Sequence, residues 1–176
     1  MGLSGVILNK ETLIIAQDEK DADILKKSGF KNISIMKETP LSFGGISIYK
    51  TPAKHGVILP CGNASGIIFK SENEKILYIV GDTVWFEGVK NTLDLYKPEV
   101  IALNACAAEL TGFGRLIMND EDVEAVAKYS PNSKIIITHI DNVSHASITR
   151  FTMQSLLKKR DVKEYYMPGD GETLFF

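Results

Sequence analysis

The sequence lacks the features that mark several function classes. Two cysteines, Cys61 and Cys106, occur in 176 residues. They lie far apart and in no C-x-x-C pair, which excludes a disulfide framework and a thiolate zinc site and points to a reducing, cytoplasmic setting. No apolar run approaches the length that spans a bilayer, and residues 1–8 have no charged start, apolar stretch and cleavage site of a secretion signal. The chain reads as soluble. Blocks of like charge are missing too: 20 basic and 22 acidic side chains give a formal net charge of −2, without the basic footprint that nucleic acid or an anionic membrane requires. Neither is expected as a partner. Internal repeats and low-complexity tracts are also absent. What is present, 44% hydrophobic and 24% charged residues, suffices for a sizeable core, so residues 1–176 read as a single domain.

The apolar pattern predicts short strands alternating with helices. Residues 12–17 (TLIIAQ) read as a strand, followed by a helix that Gly29 closes. Residues 32–36 and 46–51 read as strands, the second from the period-two alternation of Ile46, Ile48 and Lys50. Residues 67–70, the turn 71–74 and residues 76–80 read as a hairpin leading into a buried strand. In the second half a helix ends near Tyr96 and a strand covers 100–104. A helix capped by Asn119 or Asp120 then runs to Tyr129, where Pro131 prevents its continuation. A strand at 134–138 and a helix from Ser147 or Thr149 to about Arg160 follow, and two β-prone pieces, 165–167 and 173–176, flank the turn 168–171. The fold class is α/β.

Histidine is the other scarce residue, and its positions carry information. His55, His139 and His145 are the three in the chain, and each lies just beyond a β-prone run or in the loop after one. Asp82, in Gly81-Asp82-Thr83, directly follows an apolar strand, where a carboxylate must be hydrogen-bonded, paired or metal-bound. His55, Asp82 and His139 thus offer imidazole, carboxylate and imidazole at strand ends. Such a set suits Zn²⁺, Fe or Mn, and a metal with an open position acidifies water for hydrolysis. Plainer roles compete. His55 alone reads as a loop residue bonded to backbone, Asp82 as the cap of the helix that follows, and His145 as a solvated or capping residue. Cys61 and Cys106 read as small buried apolar residues, and Trp85 and Phe86 as packing residues. Spacing alone leaves the function open.

A resemblance adds to this reading. Residues 79–83 (IVGDT) resemble the G-D-T element of metallo-β-lactamase-fold proteins, whose aspartate bridges the metals. Residues 118–125 and 135–139 (IIITH) resemble that family's loop, helix and last ligand strand. The run 139–150 (HIDNVSHASITR), with Pro168-Gly169-Asp170-Gly171-Glu172, resembles a bacterial branch of metal-dependent hydrolases similar to ascorbate-6-phosphate lactonases. Ala16-Gln17, Gly29-Phe30 and residues 51–56 (TPAKHG) match its earlier part, so the likeness spans nearly the whole chain. It implies an αββα sandwich with a binuclear zinc, iron or manganese site at one edge, in which His55, Asp82 and His139 match ligand positions. It also implies metal-bound hydroxide attacking a small-molecule lactone, ester or phosphoester, with His145 or Arg150 as the catalytic candidates lining the pocket.

The family's H-x-H-x-D-H motif is absent. The chain therefore reads as the C-terminal part of the fold, truncated at its N-terminus with one sheet incomplete, and its own activity is expected to be impaired. An incomplete sheet exposes an edge and an apolar face, so a homo-oligomer, or a chain supplying the missing half, is expected. Two further readings stand beside the hydrolase. One is a non-catalytic remnant acting as an interaction or oligomerisation module. The other is a receiver-like or nucleotide-binding α/β domain, with Asp82 as phosphoacceptor, Thr138 as switch hydroxyl, and Asp18 and Glu19 as its acidic pair.

Overall fold

A computed structural model of the chain describes residues 8–56, 63–110, 112, 114–141 and 146–176. It opens with a small unit in which β1 (Ile14–Ala16) and β2 (Ile33–Ile35) pair in parallel across the helix α1 (Glu19–Lys27). The strands β3 (Leu41–Phe43), β4 (Ile46–Pro52), β5 (Ser65–Lys70) and β6 (Leu77–Ile79) then meander antiparallel. Helix α2 (Glu87–Tyr96) crosses to β7 (Val100–Asn104), which lies parallel to β6. A small hairpin, β8 (Glu109–Leu110) with β9 (Gly114–Arg115), precedes α3 (Asp120–Tyr129), and β10 (Lys134–Thr138) joins β7 in parallel before α4 (Arg150–Lys159). The result is one mixed six-stranded sheet in the order β10-β7-β6-β5-β4-β3.

The pleat sorts this sheet into two unlike faces. Tyr49, Ile68, Tyr78, Ile101 and Ile135 form one cross-strand row in register. The last four of these are fully buried, against Val89 and Leu93 of α2, Val126 of α3, and Met153 and Leu157 of α4. Each such side chain contributes about 1.5–3 kcal/mol by leaving water, and together they fix the helix layer on the sheet. On the other face the row Ile67, Ile79, Ala102 and Ile136 is equally apolar. Among the described residues no helix layer covers the whole of this row, although Ile24 and Leu25 of α1 approach Ile67, and Ile79 is 38% exposed. The β1–α1–β2 unit reaches this face at its β4–β5 end, where Gln17 receives a hydrogen bond from Lys50 Nζ at its backbone carbonyl and another from Ser65 Oγ at its side chain.

Helices α1, α3 and α4 begin where the sequence supplies caps. Asp18, Asn119 and Thr149 accept hydrogen bonds from the backbone N–H groups of Asp21, Asp122 and Thr152, each satisfying a first-turn donor. Arg160, just past the C-terminus of α4, donates to Asp120, Glu124 and Glu121 and so ties that end to the N-terminal half of α3. Among the described residues no helix is long and apolar enough to cross a membrane.

Several expectations are corrected. The sheet is not a doubly wound receiver type: β3 to β6 are joined by hairpins, and the crossovers that make a sheet parallel occur only from β6 onward, which removes the phosphoacceptor reading of Asp82 and Thr138. Asp82 is not a helix cap, because α2 starts at Glu87 with Phe86 at its N-cap and no side-chain cap bond. The three-residue strand β3 was not expected. Its signal is the Gly44-Gly45 pair, both at positive φ, a two-residue turn of the kind that closes tight hairpins. Residues 173–176 form no strand, and 165–167 shrink to one bridge between Tyr166 and Ile136.

Candidate metal centre at the strand ends

Topology brings the chemistry-bearing residues to one edge. β4 and β6 are each antiparallel to β5, so they run the same way, and β7 and β10 are parallel to β6. All four strands therefore finish on the same side of the sheet. His55 follows β4, Asp82 follows β6, Asn104 ends β7, Thr138 ends β10 and His139 follows it.

The loops that carry His55 and Asp82 are locked to each other. Thr83, fully buried, accepts a hydrogen bond from the Lys54 backbone N–H at 2.8 Å, and the Val84 N–H donates to the Lys54 carbonyl at 3.1 Å. Two bonds one residue before His55 and one or two residues after Asp82 hold the pair at close range. His55 Nε2 stands 4.0 Å from Asp82 Oδ2, with side chains 20% and 41% exposed respectively. Asn104 Nδ2 donates to Asp82 Oδ1 at 2.7 Å, and Thr138 Oγ1 donates to Asn104 Oδ1 at 3.0 Å.

The residues fit a cation in part. Ligand bonds of about 2.0–2.2 Å put two donors of one ion about 3.4 Å apart at the tetrahedral angle and just over 4 Å apart in line. The 4.0 Å separation of His55 Nε2 and Asp82 Oδ2 therefore admits one ion in a wide bite. A neutral imidazole and a carboxylate are also a donor set that zinc, iron and manganese accept. No group of three or more His, Cys, Asp or Glu able to hold a metal occurs among the described residues, so His139 is not drawn in as a third donor. It is exposed on the same edge, in the left-handed region at φ 59°, a conformation in which histidine is found more often than most residues.

Asp141, at φ 72°, fixes the loop after His139. Its Oδ1 accepts the Arg150 backbone N–H at 2.8 Å and its Oδ2 the Arg150 Nε at 3.2 Å. The Arg150 N–H, and then its guanidinium, hold the Asp141 carboxyl below the usual carboxylate range. Arg150 Nη1 also donates to the carbonyls of Met167 and Pro168. Its described bonds thus tie the loop after β10 to the C-terminal segment, and none reaches His55 or Asp82. His145 and Cys61 lie outside the described residues. Cys106 is fully buried, and burial pushes its thiol up, with the Asp82 charge adding to the effect, so it packs rather than serving as a thiolate. Trp85 and Phe86 pack against the core.

Sequence reasoning missed two parts of this neighbourhood. In sequence Asn104 reads as a strand terminus and Thr138 as a strand terminus or switch hydroxyl, although a polar residue closing an apolar strand beside a candidate ligand is the available signal for a partner of Asp82. The Arg115 and Asp122 pair was also missed. Arg115 donates to Asp122 and to the Ile117 carbonyl, and Asp122 receives the Trp85 N–H at 3.4 Å, bracing the segment that follows Asp82.

Comparison with known proteins places this geometry. No protein-family model matches the chain. The chain is 33% identical over 175 residues to UPF0173 protein YddR of Bacillus subtilis strain 168, covering 97% of this chain and 68% of that protein. It is 33% identical to the solved isothiocyanate hydrolase from Delia radicum gut bacteria, with a TM-score of 0.92 over 98% of this chain and 70% of that one. A possible metal-dependent hydrolase from Veillonella parvula DSM 2008 is 31% identical, with a TM-score of 0.92 over 97% of this chain and 69% of that one. The metallo-β-lactamase fold protein YhfI of Bacillus subtilis, at 14% identity and a TM-score of 0.65, shows the fold alone. The sheet with its helix layer, the shared edge of strand ends and these likenesses agree: the chain belongs to the UPF0173 family of metal-dependent hydrolases, with the metallo-β-lactamase fold.

Proposed function

We propose that this chain carries part of the metal centre of a hydrolase, with His55, Asp82 and His139 as ligands and zinc, iron or manganese as the ion. The observation that carries the reading is the approach of His55 and Asp82 to 4.0 Å at the edge where four strands end together. A divalent cation supplies a Lewis acid that polarises the scissile group and lowers the pKa of water. The chain's own residues do the rest. Thr83 and the Lys54–Val84 bond hold two donors on separate loops in one place, so little ordering is left for the moment of binding. His139, exposed on the same sheet edge, supplies the third donor in this reading when it moves in on the ion, and the Asp141–Arg150 bonds brace the chain just after it. Arg150 is a positioning residue in this scheme, since its described bonds go to the loop and the C-terminal segment. The substrate is a small electrophile: a lactone, an ester, a phosphoester or, by likeness to the Delia radicum gut-bacterial enzyme, an isothiocyanate. Elemental analysis of the purified protein, joined to a panel of these four substrates, is expected to find zinc, iron or manganese retained and one class hydrolysed. No metal above background, together with no turnover on adding each ion, sinks the reading.

A second reading is favoured by the absence of a group of three ligands among the described residues and by the apolar row of Ile67, Ile79, Ala102 and Ile136. On this view the chain acts as an interaction or oligomerisation module whose uncovered sheet face meets a second copy or a partner chain supplying further structure. A sheet face of this kind costs free energy in water and associates. Size-exclusion chromatography with light scattering is expected to show a dimer or larger species. A well-behaved monomer at micromolar concentration counts against the association.

A further inference from the structure

The ends of β6, β7 and β10 are joined by a polar chain whose direction is forced. A carboxylate only accepts hydrogen bonds, so the Asn104 terminus 2.7 Å from Asp82 Oδ1 must be its NH₂ group. That leaves the amide oxygen facing Thr138 Oγ1 at 3.0 Å, and the hydroxyl must donate. No flip of the amide satisfies both neighbours. Thr138 and Asn104 are also register partners in the parallel β7–β10 pair, so the backbone of the sheet sets the spacing on which the chain depends.

We propose that Asn104, held by Thr138, is a positioning residue that fixes the Asp82 carboxylate with Oδ1 engaged and Oδ2 turned toward His55; its metal-binding consequence rests on Asp82 being a ligand. Asp82 needs such a device. Its side chain is 41% exposed, and Gly81 before it contributes no side chain to pack against. An aspartate in that position samples several rotamers, and each ligand that must be ordered on binding weakens the site. One charge-assisted bond from an amide that is itself held removes this freedom before an ion arrives. Outer partners of this kind change metal affinity by about 10–100-fold when removed.

The test uses the full chain and the variants Asn104→Ala, Thr138→Val and Thr138→Ser. In the metal-free protein, three-bond scalar couplings report the Asp82 χ1 rotamer. One rotamer is expected for the unaltered chain and for Thr138→Ser, and averaging for Asn104→Ala and, to a smaller degree, Thr138→Val. Zinc titration by calorimetry is expected to give a Kd about 10–100-fold weaker for Asn104→Ala, with Thr138→Val between the two and Thr138→Ser unchanged. A single Asp82 rotamer persisting in Asn104→Ala, or a zinc Kd within twofold of the unaltered chain, overturns the proposal. If the unaltered chain binds none of zinc, iron and manganese, the metal-centre reading fails and the couplings alone decide the positioning role. If Asn104→Ala does not fold, Thr138→Val decides by the same two measurements, because it removes the hydroxyl while keeping the side-chain volume.

Discussion

Gly81→Ala is expected to lower the melting temperature by about 6–12 °C, roughly 3 kcal/mol for a chain of this size. Two separate costs meet at this position. Gly81 sits at φ +74°, where an L residue with a Cβ costs about 1–2 kcal/mol. A Cβ built there also comes within 2.8 Å of the Ser65 backbone carbonyl, and a backbone atom cannot swing aside as the end of a long side chain can. The start of β5 must then part from the strand that leads to Asp82, and the candidate ligand moves with it. Two companion variants separate the costs. Gly44→Ala meets the dihedral cost alone, since its φ is +58° with nothing within 4 Å of the added Cβ, and is expected to lose about 1 kcal/mol. Gly66→Ala meets the crowding alone, its Cβ lying 2.6 Å from Thr51 Oγ1 and 2.7 Å from the Val80 carbonyl. Thermal unfolding that gives Gly81→Ala and Gly44→Ala the same loss shows that the start of β5 yields freely, and the crowding argument fails.

These glycines show how much of the fold was legible. The strand pattern around them could be read because burial is periodic: Ile76 to Val80 and Val100 to Asn104 are apolar runs bounded by turn residues, and both became strands of the central sheet. Two of the helices were readable from their caps, and Asn119 and Thr149 hold the first turns expected of them. Pairing was not readable in the same way. That β4 runs parallel to β6, so that His55 and Asp82 leave the sheet on one side, follows from two consecutive hairpins and not from any property of either residue. The Asn104–Asp82 and Thr138–Asn104 bonds span 22 and 34 positions, and no local pattern carries a contact at that separation. Arg150 illustrates the converse. The family resemblance implies a pocket role for it, and in space its guanidinium bonds to Asp141 and the carbonyls of residues 167 and 168. The hydrophobic pattern thus reports which residues are buried, while a site assembled from loop ends depends on strand order, which the pattern does not encode.

Asp82→Ala is expected to abolish metal-dependent behaviour while leaving the fold nearly untouched, the opposite outcome to Gly81→Ala one residue away. The side chain is 41% exposed, and its one hydrogen bond among the described residues, the charge-assisted one from Asn104, is worth about 1.5 kcal/mol net at this exposure, so the metal-free variant should melt within about 3–6 °C of the unaltered chain. Removing it takes away the one carboxylate of the proposed ligand set, and the imidazoles of His55 and His139 make a weak site without it. The two states of the site can be told apart without a substrate. An ion that binds only the folded chain stabilises it by about 2.7 kcal/mol at a hundred times its Kd, which corresponds to a rise of about 5–10 °C. The unaltered chain is expected to show that rise with zinc and Asp82→Ala to show none. Turnover, where the unaltered chain has it, should fall at least about 10³-fold in kcat/KM, the loss of about 4 kcal/mol of transition-state stabilisation. An equal zinc-induced rise in both proteins places the ion elsewhere and removes Asp82 from the site. A large drop in the melting temperature of metal-free Asp82→Ala instead makes the aspartate a structural link between β6 and β7, with Asn104 as its partner in that role.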